Sequence, residues 1–298
     1  MSSIHTIPKR IFYVWGANER KPRDVLACIQ SWRQNCADYE IIEINELSKN
    51  YFNYQEELKN NSRFRTVYNM KMWAYVADYV RIKVLYDNGG IYMDTDVTCV
   101  KNFDDFLNLP AFVGMQNERY VEPAILGSVE GNQLLEKILN YYKQDVWNNP
   151  PTTMPEIFEL FLQREGVNKF PEKRNQVQIK LRDISIFPER IFIPFRYGED
   201  FKPTDVEADT VTIHWFGGSW LQEDIFYFLK NKAKFSRHMG DIKKIETEKH
   251  YLFKCLPLFS VTKQNGVTKV RVLGVPCVIY SRDKFKVFGI KLISIKRL

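Results

Sequence analysis

Ala77-Asp-Tyr-Val-Arg81-Ile-Lys-Val-Leu85-Tyr-Asp-Asn-Gly89-Gly90-Ile-Tyr92-Met-Asp94-Thr-Asp96 carries a helix, its stop, a strand and a pair of carboxylates in one run. Trp73, Ala77, Val80 and Val84 recur at helical spacing, which predicts a helix from about Met70 to Asp87. Asn88-Gly89-Gly90 stops it. Ile91 to Asp94 then reads as a short strand that ends in Asp94-Thr-Asp96. In extended backbone, residues two apart face the same way, with Cα atoms about 6.5–7 Å apart. Both carboxylates can therefore reach one cation, and hard oxygen ligands suit Mg²⁺ or Mn²⁺. Such a metal can bridge the diphosphate of a nucleotide-sugar and offset charge as the nucleotide leaves. Asp-x-Asp by itself is usually a solvated turn. Here it sits at a strand end behind a helix and a glycine stop, where α/β proteins bind ligands.

Working outward, Arg10 to Trp15, ended by Gly16, reads as a buried first strand. Pro22 and Asp24 open a helix with Val25, Leu26, Ile29 and Trp32 on one face, and Tyr39 to Ile44 is a second strand. Strand, helix, strand predicts an α/β domain with a mostly parallel sheet flanked by helices. Residues 45–66 are polar and read as loops and short helices. Further expected elements are a strand at Ala111–Met115, helices at Gly131–Tyr142 and Thr152–Arg164, a strand at Val211–Trp215 and a helix over 221–234.

Four more positions carry chemistry. Asp78 and Arg81 share a helix face at i,i+3 but lie among apolar neighbours, so this reads as a half-buried pair rather than a solvated one. Arg81 can hold Asp78 and face a diphosphate, and Asp78 can accept hydrogen bonds from sugar hydroxyls. Trp15, ending the first strand, can stack a nucleobase, although a lone aromatic there is commonly core. His214, ending an apolar strand, can supply a third metal ligand, against the ordinary reading of a satisfied core histidine. Ser219 and Trp220 follow two glycines and can form a loop that closes over donor phosphates.

The net charge of +7 is unevenly placed in the 298 residues: 251–298 holds ten Lys or Arg and one acid, and residues 1–250 carry a net of −2. A domain boundary is therefore expected at 250, with a basic, β-rich tail built on three runs, Phe253–Val261, Val270–Tyr280 and Val287–Ile295. Its basic residues alternate with Leu, Val, Ile and Pro, which suits anionic lipid better than nucleic acid. The five cysteines are scattered without a Cys-x-x-Cys pair, residues 1–10 lack a signal-peptide core, and there is no run of 18 apolar residues. A cytoplasmic protein is expected, with a tail that either contacts the inner face of the plasma membrane or packs its apolar faces on the catalytic domain.

In order along the chain, Ile7-Pro-Lys-Arg-Ile-Phe-Tyr-Val-Trp15-Gly, Ser31-Trp32, Ala77 to Asp96 and His214-Trp-Phe-Gly-Gly-Ser219-Trp220 resemble the successive motifs of glycosyltransferase family 32, the transferases with a DXD sugar-binding region. Relatives are bacterial capsule and polysaccharide enzymes, yeast mannosyltransferases and the glucosyltransferase domains of large clostridial toxins. The resemblance spans about 7–220, leaves the tail out and departs at Phe12, where His is frequent. It implies a GT-A fold, a UDP-sugar donor and retention of anomeric configuration. It also implies Trp15 on the base, Asp78 and Arg81 on the sugar with Tyr92 nearby, Asp94 and Asp96 on metal and ribose, and Trp220 over the phosphates. The expected reaction moves a hexose or N-acetylhexosamine to a saccharide acceptor, on a lipid carrier, in capsule or other surface-polysaccharide synthesis. Two rivals stand beside it. A glycoside hydrolase would need carboxyls flanking the bond about 5–9.5 Å apart, and this pair points one way. A saccharide-binding protein without transferase activity would leave the Asp-x-Asp region idle.

Overall fold

Ile11, Phe12 and Tyr13 are buried in Arg10–Val14 (β1), the strand from which the sheet grows in the computed structural model. The structure describes residues 6–144, 153–167 and 178–216, and the backbone of six strands between 246 and 294. Arg23–Asn35 (α1) returns the chain to Glu40–Ile44 (β2), which pairs parallel with β1 from Arg10↔Glu40 to Val14↔Ile44. Val25, Cys28, Ile29 and Trp32 form the buried stripe of α1. Leu26, expected on that face, is 51% exposed, because it falls one residue off the i, i+3, i+4, i+7 pattern. Tyr54–Asn60 (α2) and Ser62–Asn69 (α3) occupy the polar stretch.

Trp73–Asn88 (α4) starts three residues later than the spacing implied, after Lys71 takes a left-handed φ of 57°. Trp73 is 43% exposed at its first turn, edge-on to Tyr68, rather than part of the buried stripe. The helix ends where expected. Gly89 and Gly90 have φ of 62° and 124°, and a Cβ on Gly90 would stand 2.9 Å from the Phe12 ring. Only glycine allows the chain to enter Gly90–Met93 (β3) this close to β1. All four residues of β3 are buried, and Ile11↔Ile91 and Phe12↔Tyr92 pair in parallel.

The remaining described elements of the first unit are Val97–Cys99 (β4), Ala111–Met115 (β5), Val121–Ser128 (β6), Gln133–Gln144 (α5), Met154–Arg164 (α6), Ile179–Lys180 (β7), Ser185–Phe187 (β8), Glu189–Phe192 (α7) and Thr212–His214 (β9). The main sheet runs β2-β1-β3-β6-β5-β8-β7. Only β6 and β7 oppose the other five strands in direction. The sheet is mostly parallel in that sense, and the topology agrees with the GT-A expectation. Ile11, Tyr13, Ile91 and Met93 pack with the buried stripe of α1. α4 packs against β1 and β3, and on its other flank against α5. Tyr92 and Asp94, one pleat out of step with Ile91 and Met93, belong to the opposite face.

A small second sheet completes this unit. β4 pairs antiparallel with β9, setting Val97 against His214 and Cys99 against Thr212. The other edge of β4 is bonded to α1 side chains: Trp32 Nε1 donates to Val97 O (2.7 Å), Cys99 N donates to Ser31 Oγ (2.9 Å) and Asn35 Nδ2 donates to Cys99 O (3.0 Å).

The chain divides into two units, Met1–Trp220 and Leu221–Leu298. In the second, six strands form one antiparallel meander in chain order: Glu246–Leu252 (β10), Leu256–Gln264 (β11), Val267–Val272 (β12), Val275–Ser281 (β13), Lys284–Val287 (β14) and Ile290–Ser294 (β15). The boundary expected at 250 falls inside β10. The three expected runs become six strands. Among the described residues, no helix is long and apolar enough to cross a membrane.

Candidate active site

Asp94 follows the last residue of β3, and its backbone N–H donates to Ala124 O on β6 at 2.9 Å. The chain then turns tightly, with Val97 N donating to Asp94 O (3.1 Å), and leaves as β4. This turn presents Asp94 and Asp96 together. β9 then adds the third group: Trp215 N donates to Asp96 O at 2.9 Å, and His214 faces Val97 across the pair. The result places His214 Nε2 3.4 Å from Asp96 Oδ1.

One ligand atom each from Asp94, Asp96 and His214 lies within 4.8 Å of the others. His214 is buried, and its Nδ1 has no hydrogen-bond partner. An orphaned buried imidazole nitrogen is costly unless something is to be bound nearby. Two carboxylates and an imidazole are a donor set that fits Mn²⁺ or Mg²⁺.

Arg81, buried on α4, organises the neighbouring charges. Its Nη2 lies 2.8 Å from Asp94 Oδ1 and 3.6 Å from Asp78 Oδ1, so Asp94 rather than Asp78 is its closer partner. Its guanidinium lies 4.6 Å from the centre of the Tyr92 ring, and its Nε has no partner. Tyr92 is thus the flat support of the arginine, on the same pleat as Asp94. Burial alone would lower the Arg81 pKa, but Asp94, Tyr92 and Asp78 outweigh it and raise it. Burial pushes Asp78 up to about 7, with Arg81 opposing and Asp94 and Glu122 adding to the rise. Burial likewise raises Asp94 against the pull of Arg81. For His214, burial favours the neutral ring, and the bond to Asp96 with the nearby Glu122 reverses that.

Trp15 is half-buried at the same end of the sheet, one residue beyond β1. It packs on the core, and its Nε1 donates to Glu19 O at 2.9 Å. Ser219, Trp220 and the expected helix over 221–234 lie outside the described residues. Glu122 was absent from the motifs, yet its carboxyl lies within electrostatic reach of His214, Asp94 and Arg81. A charged residue inside the apolar run Val121-Glu-Pro-Ala-Ile-Leu was the signal available.

Residues 22–113 match the family model for a glycosyltransferase sugar-binding region containing a DXD motif. An uncharacterized glycosyltransferase of Acanthamoeba polyphaga mimivirus is 25% identical over 187 residues, 59% of this chain and 71% of that protein. Inositol phosphoceramide mannosyltransferase 3 of Schizosaccharomyces pombe is 28% identical over 145 residues, 48% of this chain but only 39% of the relative. Among solved structures, the PaToxG glycosyltransferase aligns with a TM-score of 0.44 and 19% identity, over 54% of this chain and 70% of that one. The matched segment contains α4, β3 and the Asp94-Thr-Asp96 turn, so what this chain shares with those glycosyltransferases is the DXD-containing sugar-binding region at 22–113.

Proposed function

We propose that this chain is a retaining, metal-dependent glycosyltransferase that moves a hexose or N-acetylhexosamine from a UDP-sugar to a saccharide acceptor. The observation that carries this reading is the convergence of Asp94, Asp96 and His214 beside buried Arg81. Mn²⁺ or Mg²⁺ held by those three residues would supply charge neutralisation for the leaving diphosphate. Arg81, fixed by Asp94 and the Tyr92 ring, holds its charge ready for the same group without reorganising. Asp78, beside it, accepts from donor-sugar hydroxyls, and Trp15 offers its ring to the uracil. Ser219 and Trp220 close over the phosphates. No carboxylate of the motifs is free to attack the anomeric carbon, so the departing phosphate takes the acceptor's proton on the face it leaves, which retains configuration. The acceptor is a growing surface polysaccharide, such as capsule, on a lipid carrier. The enzyme works in the cytoplasm, at the inner face of the plasma membrane, with 251–298 against the lipid.

The deciding experiment screens a nucleotide-sugar panel for hydrolysis and transfer with Mn²⁺. EDTA should abolish turnover, and Mn²⁺ or Mg²⁺ should restore it. Asp96→Ala and His214→Ala should each lose activity while keeping the fold by circular dichroism. Full activity in EDTA or in Asp96→Ala overturns the metal assignment, and an inverted product by NMR overturns the stereochemistry.

A further inference from the structure

β6 keeps its pairing with β3 through Met93↔Ile125 and the Asp94 N–Ala124 O bond, but breaks step with β5. Val113 opposes Leu126, and the next residue, Gly114, opposes Glu122. Three residues of β6, Pro123, Ala124 and Ile125, are thus spent against a single step of β5. Bulges of this kind re-aim a side chain, and a proline is tolerated where the ladder is already interrupted. The side chain at this bend is Glu122.

Its surroundings do not explain it as a structural residue. Glu122 is partly buried, and its one recorded bond accepts Ala124 N at 3.3 Å, from its own strand. Among the described residues no basic side chain forms a salt bridge with it, although Arg81 and His214 both lie within electrostatic reach. It is also outside the trio whose ligand atoms converge within 4.8 Å. Burial raises the Glu122 pKa against the pull of His214 and Arg81, and a positive charge brought beside it would favour the ionised carboxylate. In the proposed site that charge is the donor sugar's, because Glu122 stands outside the metal-binding trio and within electrostatic reach of Arg81.

We infer that Glu122 is a catalytic carboxylate that faces the donor sugar and stabilises the positive charge developing at its anomeric carbon as the bond to the diphosphate breaks. This rests on the reading of the site as a nucleotide-sugar site. The transition state of glycosyl transfer is oxocarbenium-like, and a fixed negative charge nearby lowers its energy without bonding to it. No covalent intermediate is involved. The bulge supplies the geometry: it sets Glu122 opposite Gly114, where a regular strand would place Ile125.

Glu122→Gln tests it. Gln has nearly the same shape and can still accept from Ala124 N, but it carries no charge. With Mn²⁺ and whichever donor of the panel the wild type turns over, Glu122→Gln should lower kcat about 100-fold. Donor KM, Mn²⁺ affinity by titration and the thermal midpoint should stay near wild type. A kcat within about threefold of wild type makes Glu122 structural and overturns the inference. A loss of Mn²⁺ affinity of about tenfold or more makes it a metal ligand and also overturns it. Glu122→Asp is the companion variant, which should recover part of the lost kcat by restoring the charge. No such recovery would sink the charge argument. If the wild type turns over no nucleotide-sugar at all, the functional reading fails first and this assignment falls with it.

Discussion

Arg81 donates to a carboxylate 2.8 Å away and lies against the Tyr92 ring, so its replacement has two separable effects. Arg81→Ala leaves Asp94 and Asp78 facing each other without a cation, which should cost about 3 kcal/mol or more in stability. Arg81→Lys keeps the charge but loses the planar fork, and is the better probe of chemistry. It should lower kcat about 10–100-fold while UDP binding changes less, as read by comparing turnover with UDP titration. Equal losses in both would make Arg81 a binding residue only. Asp78 carries a pH signature. Its pKa rises from 3.8 to about 7 on folding, so between those values the folded state binds the proton more tightly than the unfolded state does. Stability from this group is present below about pH 4 and is lost as pH rises through 7. In EDTA, the thermal midpoint of wild type should therefore fall relative to Asp78→Asn between pH 4 and 8. A gap that stays constant across that range would mean the Asp78 pKa is not raised.

At the scale of elements, the site depends on a three-residue strand. β4 carries the chain away from Asp96, pairs with β9 on one edge and is bonded to Ser31, Trp32 and Asn35 of α1 on the other. Ser31→Ala leaves Cys99 N without its acceptor and should cost about 1–2 kcal/mol. Because the same strand sets Asp96 against His214, Mn²⁺ affinity should drop too, although Ser31 touches neither. A melt and a Mn²⁺ titration check this, and unchanged values in both would show the brace to be dispensable. Legibility follows the same division. α4, its glycine stop and β3 were readable because helical spacing, the Gly-Gly pair and the short apolar strand are local signals. So was the pairing of Asp94 with Asp96. His214 could be nominated but not placed, because its approach to Asp96 depends on strand pairing across more than a hundred residues. Glu122 escaped notice for a different reason: it is aimed by a bulge, a break in register between β5 and β6 that no periodicity in the sequence announces. Leu26 and Trp73 show the opposite limit, since an apolar residue one step off the stripe or in the first turn of a helix can face water.

For the whole molecule, the question is why the excess positive charge is placed in the last 48 residues. Ten basic residues and one acid lie in 251–298, while 1–250 is slightly acidic. β14 and β15 set Lys286 opposite Lys291, and β12 carries Lys269 and Arg271 two positions apart. A sheet whose only task was to pack on a catalytic domain would gain nothing from this arrangement. Near a bilayer rich in anionic lipid, each Lys or Arg contributes about 1 kcal/mol, so a few at the surface suffice for reversible attachment. The attraction should weaken as salt shortens the Debye length from about 10 Å at 0.1 M to about 3 Å at 1 M. The measurement is flotation with vesicles of phosphatidylglycerol and phosphatidylcholine. The full chain should float at low salt and be released at high salt. A chain ending at 245, before β10, should stay at the bottom, and a full chain with Lys269, Arg271, Lys284 and Lys286 changed to Gln should bind more weakly while keeping donor hydrolysis. Equal flotation of all three, or of none, would leave the basic sheet a structural appendage and remove the membrane from the proposed reaction.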